Sequence, residues 1–295
     1  MTEPRWQDLP PDQLEAIYNP RVAVADSVAG LARRAALSAQ ARAHLAGICR
    51  VSEDLRYGTN PKECLDLYRP AASPVGPAPL ALFVHGGYWR GLDKHDTSLV
   101  VPALVDAGAV VANVNYDLCP AVSLDTIVEE IIRAVRFCHD KAADWGADAS
   151  RLVLIGHSAG AHLCARVMNA TSQSALAAAD LVSGVAAISG IYEPEVITHL
   201  TVNAEAQIDL DTARRNDCLS EKPQGAARFA VWAGGNEPPG WIDQSRRYAA
   251  LVQAAGFDSE FFVLPQTDHF SVLDESFVPG SEGFARIAAL LNATD

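Results

Sequence analysis

The chain has 295 residues, 49% of them hydrophobic and 20% charged, a balance that excludes intrinsic disorder, a collagen-like repeat and a small disulfide-stapled scaffold. Lys and Arg number 23 against 36 Asp and Glu, and the net charge of −13 argues against a nucleic-acid backbone or an anionic membrane surface as partner. No run supplies the roughly 20 apolar residues of a membrane span: residues 99–114 are interrupted by Asp106, and residues 181–191 are too few.

The N-terminus, Met1-Thr-Glu-Pro-Arg-Trp6, has neither a basic nor an apolar stretch, so no secretory signal is expected and cytoplasmic residence is the default. Cys49, Cys64, Cys119, Cys138, Cys164 and Cys218 contain no C-x-x-C pair and read as small hydrophobes, with no structural zinc expected. Residues 1–50 form a helical N-terminal extension, with helical pattern at 14–18 and 26–45. Residues 51–58 and 63–68 follow as an antiparallel pair of strands turning near Thr59-Asn60-Pro61, and the proline-rich stretch 71–79 is expected to be a stiff surface connector.

From residue 79 onward, short apolar runs alternate with segments of helical period. Strands are expected at 79–84, 109–116, 151–155, 182–188, 229–233 and 260–264. Helices are expected up to the Gly108 stop, after a Ser123 N-cap, at 158–169, at 242–255 and from Gly283. The helix after Ser123 shows an apolar stripe of Leu124, Ile127, Val128, Ile131, Ile132 and Val135. The pattern implies one α/β domain over residues 1–295, a doubly wound, mostly parallel sheet with helices on both faces. Residues 189–227 are too long for an ordinary connection and are expected to be a lid or active-site insertion.

The chemistry concentrates in three places. Gly156-His-Ser158-Ala-Gly160 lies where a strand ends and a helix begins, a setting in which glycines permit a sharp turn that lifts a serine hydroxyl above the sheet edge. That serine also feels the positive end of a helix dipole, which suits a nucleophile developing negative charge. Its base would be His269, just after the last strand in Pro265-Gln-Thr-Asp-His269-Phe270. The acid should lie between them, after the preceding strand, in Gly234-Gly-Asn-Glu237. Glu237 at the strand tip is the choice. Asp243 is read as a helix-dipole partner in a first helical turn, and Asp268 would need an unusual turn to reach its neighbour. Third, His85-Gly86-Gly87 ends another strand, where backbone N–H groups could join that of Ala159 around a substrate oxygen.

His157 and His162 are read as packed core groups, and neither H-x-x-x-H nor H-E-x-x-H occurs, so no metal is expected. Tyr88, Trp89, Tyr116, Tyr192, Trp241 and Phe270 lie at or beyond strand C-terminal ends or beside these motifs. Ligands bind at such positions in open α/β sheets, so an aromatic-lined substrate pocket is expected, with Trp89 and Tyr192 foremost.

Taken together, His85-Gly-Gly-Tyr-Trp-Arg90, Asn115-Tyr-Asp-Leu-Cys-Pro120, Gly156-His-Ser-Ala-Gly-Ala-His-Leu163, Ile188-Ser-Gly-Ile-Tyr192, Gly234-Gly-Asn-Glu237 and Asp268-His-Phe270 resemble the arylformamidase (kynurenine formamidase) group of α/β-hydrolases. Tyr57-Gly58 and Leu65-Asp66 resemble that group's first strands, so the likeness spans nearly the whole chain, although residues 199–227 depart from it. The resemblance implies Ser158 as nucleophile, Glu237 as acid, His269 as base and an oxyanion hole near Gly86, Gly87 and Ala159, with no cofactor. Glu237 stands where many α/β-hydrolases carry Asp, which leaves the role intact. The implied activity is hydrolysis of a small aryl amide, above all an N-formyl arylamine such as N-formylkynurenine. A carboxylesterase for small aryl or alkyl esters and a non-catalytic binding protein on the same fold are the alternatives. The expected partner is a small aromatic amide or ester, with homo-oligomerisation left open.

Overall fold

Alternation along each central strand decides which side chains face which layer of helices. The computed structural model describes residues 5–71, 76–169 and 172–293. Its sheet has eight strands: β1 (Cys49–Arg56), β2 (Cys64–Pro70), β3 (Ala78–Val84), β4 (Val110–Val114), β5 (Ala147–His157), β6 (Gly184–Ile188), β7 (Arg228–Gly234) and β8 (Ser259–Leu264). The spatial order is β1-β2-β4-β3-β5-β6-β7-β8. The β1–β2 and β2–β4 pairs are antiparallel, and every other pair is parallel. The chain is thus an α/β protein with a mostly parallel sheet, as the sequence pattern implied.

In chain order the helices are α1 (Pro11–Tyr18), α2 (Pro20–Ala23), α3 (Ser27–Ile48), α4 (Val101–Asp106), α5 (Leu124–Lys141), α6 (Ala159–Asn169), α7 (Gln173–Ala179), α8 (Asn203–Ala206), α9 (Leu210–Arg215), α10 (Pro239–Ala254), α11 (Ser271–Ser276) and α12 (Glu282–Asn292). Leu80, Leu82 and Val84 of β3, with Leu152 and Leu154 of β5, pack into one core that takes in α5, α6 and α10. The alternate residues Ala81, Phe83, Val153 and Ile155 pack into a second core with Leu45 of α3, α4, α11 and α12. Each core strand is therefore buried on both faces, which accounts for its unbroken apolar run.

Ser123 caps α5, its hydroxyl accepting from Thr126 N at 3.1 Å. Several strand limits differ from the sequence expectation by one or two residues, and the start of β5 by four. β4 stops at Val114 because the Asn115 side chain turns to Asp93 Oδ2 (2.8 Å) and His85 Nε2 (3.1 Å), and Tyr116 leaves with it. β5 instead begins at Ala147, where it pairs with Ala78.

Residues 189–227 hold a 3₁₀ turn (Pro194–His199) with α8 and α9. The extension packs against this segment: Trp6 lies 5.3 Å from the His199 ring, and Glu15 accepts from Thr201 N. Residues 1–4 of the N-terminal stretch and 72–75 of the proline-rich connector lie outside the described residues. No described helix is long and apolar enough to cross a membrane.

Candidate active site

Three parallel strands deliver the chemistry to one end of the sheet. β5 runs into Ser158, whose φ of 57° is unusual for a residue with a side chain and costs about 1–2 kcal/mol locally. Two glycines make that turn possible. A Cβ on Gly156 would come within 2.4 Å of Gly160 O, and one on Gly160 within 2.0 Å of Val84 O, so β3, β5 and α6 close together only without side chains. Ser158 N donates to Ile188 O at 2.9 Å, tying the turn to β6. Its hydroxyl donates to His269 Nε2 at 3.0 Å.

His269 follows β8, and its Nδ1 donates to Glu237 Oε1 at 2.6 Å. Glu237 follows β7, where its Oε2 accepts from Gly234 N at 2.7 Å, so the strand's last amide fixes the carboxylate. All three side chains are buried. Sequence reasoning missed a fourth member of the chain. The Ser189 hydroxyl, at the end of β6 with φ 50°, donates to Glu237 Oε1 at 2.5 Å and lies 3.1 Å from His269 Nδ1. Ser189 Oγ in turn accepts from Trp241 Nε1 at 2.6 Å. A buried polar side chain ending the strand between nucleophile and acid was the signal available.

The alternative acids are placed elsewhere. Asp268 caps its own turn, accepting from Phe270 N, Ser271 N and the Ser271 hydroxyl at 2.8–3.0 Å. Burial opposes its ionisation, but those hydrogen bonds outweigh it and hold the carboxyl below the usual range. Asp243 is not in a first helical turn, because α10 starts at Pro239, with Pro238 as N-cap. It sits on the helix surface instead, 3.5 Å from Arg246 and 3.9 Å from Arg247.

His157 and His162 are core groups. His157 Nε2 donates to His269 O at 2.8 Å and so braces the loop carrying His269. Burial, then the nearby His269, pushes its pKa well below the usual histidine value. His162 Nε2 donates to Asn216 O at 2.8 Å, and burial drives its pKa down to about 3.

Ser158 and His269 line an open cleft at this end of the sheet. Gly86, Gly87, Tyr88 and Phe270 line it as expected. Gly87 has φ 113°, and a Cβ there would meet Gly91 O at 2.1 Å. Ala159 begins α6, buried beside Ser158. The other four aromatic residues do not line the cleft, and each has a different duty. Trp89 is fully buried edge-on to His162 at 4.8 Å. Tyr116 stacks on His85 at 4.2 Å and donates to His85 O at 2.8 Å. Tyr192 stacks on Tyr248 at 4.3 Å within the core. Trp241 packs edge-on to His269 at 4.5 Å and holds Ser189. Position near a strand's C-terminal end does not say whether a ring faces the cleft or lies beneath it.

The extension supplies the remaining wall, which sequence reasoning did not foresee: Pro20, Arg21, Leu31 and Arg34 line the cleft. Arg34 donates to Phe270 O and pairs with Asp274 at 3.2 Å, fastening α3 to the histidine loop. Among the described residues, no group of three or more His, Cys, Asp or Glu side chains is placed to hold a metal ion.

Comparison with known proteins gives these features a lineage. The chain matches the BD-FAE family over residues 65–230. It is 31% identical to kynurenine formamidase of Danio rerio, covering 92% of both chains, and 30% identical to that of Salmo salar, covering 92% of this chain and 93% of the relative. The crystal structure of a Silicibacter protein superposes with a TM-score of 0.79 at 26% identity, covering 95% of this chain and 99% of that one. The metagenomic carboxylesterase EstE1 shares the fold, with a TM-score of 0.67 at 17% identity over 92% and 99% of the two chains. By these likenesses the chain belongs to the kynurenine formamidase family of α/β-hydrolases.

Proposed function

We propose that the protein is a metal-independent serine hydrolase that cleaves N-formyl arylamines such as N-formylkynurenine to formate and the free amine. The observation that carries this reading is the hydrogen-bonded run Ser158–His269–Glu237 at the floor of an open cleft, in a chain of this family. Ser158 Oγ attacks the formyl carbon as His269 Nε2 takes its proton. The resulting oxyanion faces backbone N–H groups of Gly86, Gly87 and Ala159, in a pocket where such donors act at low dielectric. Glu237 keeps the imidazole in the tautomer whose Nε2 is free to accept, and stabilises it once protonated. His269 then protonates the departing nitrogen. An aniline lone pair is shared with its ring, so the amine leaves more readily than an alkylamine. Water, activated by the same histidine, hydrolyses the formyl-serine and releases formate.

Residues 189–227 serve as a lid in this reading, supported by their packing against the extension that walls the cleft. Cytoplasmic residence belongs to it too, consistent with six free thiols, five of them buried. The test is a formate-release assay on formanilides beside matched phenyl esters. Formate release that disappears in Ser158→Ala supports the proposal. Ester turnover without formate release replaces it with an esterase, and failure of a fluorophosphonate probe to label Ser158 replaces it with a binding protein.

A further inference from the structure

The cleft contradicts the charge of the chain that builds it. Acidic residues outnumber basic ones by 36 to 23, yet the residues lining the cleft include Arg21, Arg34 and Arg90 and neither Asp nor Glu. Arg34 is already employed, bonded to Phe270 O and paired with Asp274, with its side chain 4% exposed. The other two are not satisfied in the same way.

Arg90 follows the His85-Gly-Gly turn, and its side chain is only 9% exposed. Among the described residues a single carboxylate pairs with it, Glu205 at 2.6 Å from Nη1, and that carboxylate is 65% exposed. Its Nε is buried with no hydrogen-bond partner. A buried guanidinium with an idle donor is costly unless something completes it. Arg21 adds a second cation: it makes no ion pair among the described residues, and its charge acts on Arg90 in the same direction as burial, disfavouring the protonated form. Arg21 is also pinned in place. Its amide donates to Asn19 Oδ1 at 3.1 Å, and its carbonyl accepts from Ser27 Oγ at 3.1 Å.

We propose that Arg21 and Arg90 are specificity-determining residues that bind a carboxylate of the substrate at the cleft mouth, away from the bond cleaved at Ser158. A planar carboxylate offers two oxygens to guanidinium forks and supplies the counter-charge that Arg21 lacks and that Arg90 receives only from the exposed Glu205. A neutral arylamide does none of this. In a substrate such as N-formylkynurenine that carboxylate belongs to the amino-acid arm, and the extension that carries Arg21 is then part of the recognition surface. The inference rests on the hydrolase reading above and adds to it the residues that meet the substrate's carboxylate.

The experiment compares formanilides bearing a ring carboxylate, on spacers of zero to three methylenes, with their neutral carboxamide isosteres. The same pairs are made as phenyl acetates. The quantity read is the ratio of kcat/KM for carboxylate over carboxamide, at low ionic strength. In the wild type the best spacer should give a ratio of ten or more. Arg21→Gln and Arg90→Gln should each reduce it several-fold and the double variant abolish it, whereas Arg21→Lys should retain much of it. Arg21 is on the surface, so its variants report even if Arg90→Gln folds poorly. A wild-type ratio near one, or equal losses on both members of each pair, overturns the proposal. If the acetates show the ratio and no formanilide is cleaved, the subsite stands and the formamidase reading falls.

Discussion

The Ser189 hydroxyl and the Glu237 carboxylate share a hydrogen bond of 2.5 Å to the same oxygen, Oε1, that receives His269 Nδ1 at 2.6 Å. Because Trp241 Nε1 donates to Ser189 Oγ at 2.6 Å, the acid is held from β6 and α10 as well as from β7. Ser189→Ala leaves the Trp241 donor one partner short and lets Glu237 rotate. A hydrogen bond to a charged group contributes about 1.5–3 kcal/mol, so kcat should fall by at least about tenfold with KM changed far less. Steady-state kinetics with unaltered kcat would remove Ser189 from the positioning of the acid.

Glu237→Gln and Asp243→Asn separate the two acids that follow β7. With the imidazole no longer held in the productive tautomer, Glu237→Gln should lower kcat by about 10³–10⁴ while binding is largely retained. Asp243 contributes a surface pair to Arg246 and Arg247, and such pairs are worth about 0–1 kcal/mol, so Asp243→Asn should leave kcat within twofold. The reverse pattern in kcat would move the acid to Asp243 and contradict the hydrogen bonding at Glu237.

Ser158→Ala and His269→Ala should each reduce kcat by orders of magnitude, and the double variant should be little worse than either, because a hydroxyl and its base work as one unit. Losses that multiply in the double variant would mean the two act separately.

Space beside the nucleophile should restrict the acyl group. A Cβ on Gly86 would lie 3.0 Å from His157 O and 3.1 Å from Ser158 Cβ, so this side of the cleft has little slack. A formanilide should outpace the matching acetanilide by more than the roughly 10–200-fold typical of one methylene, and Gly86→Ala should slow even the formanilide. Comparable rates on the two anilides would point to a general amidase.

Acid should destabilise the fold through histidines that cannot take up a proton. Burial lowers the pKa of His85, His157 and His162. The unfolded chain protonates these rings near pH 6.5 while the folded chain does not, so stability is lost as pH falls below about 6.5. For His162, with its pKa near 3, the loss is about 1.4 kcal/mol per pH unit across that interval. Urea midpoints at pH 7.5, 6.5 and 5.5 should decline, and His162→Gln, which can still donate to Asn216 O, should decline less steeply. Midpoints that stay level from pH 7.5 to 5.5 would contradict neutral buried histidines.

Local sequence was most informative where chemistry follows directly from a strand end. Ser158, Glu237 and His269 each stand at such an end, and short-range glycine and proline signals mark those turns. The start of α10 was equally legible: Pro238-Pro239 is a helix-initiating pair with proline at the first position, and giving it weight places Asp243 beyond the first turn. The walls of the cleft were harder. Trp89, Tyr116, Tyr192 and Trp241 differ from Tyr88 and Phe270 only in what packs over them, and periodicity carries nothing about that. The contribution of Arg21 and Arg34 depends on α2 and α3 folding back across more than two hundred residues of sequence, which no local pattern encodes.

Arg34 reaches from one end of the chain to Asp274 and Phe270 near the other. During synthesis the helix bearing Arg34 can settle on residues 94–100, through Ser38 and Asp96 among others, but this clasp waits until residues 270–274 emerge. Ser158 is made between these two events and waits without its base. Until residues 269–274 emerge, Ser158 lacks the imidazole of His269 and the wall bearing Arg34 lacks its anchor there, so the proposed chemical machinery and the wall that restricts access to it are completed together.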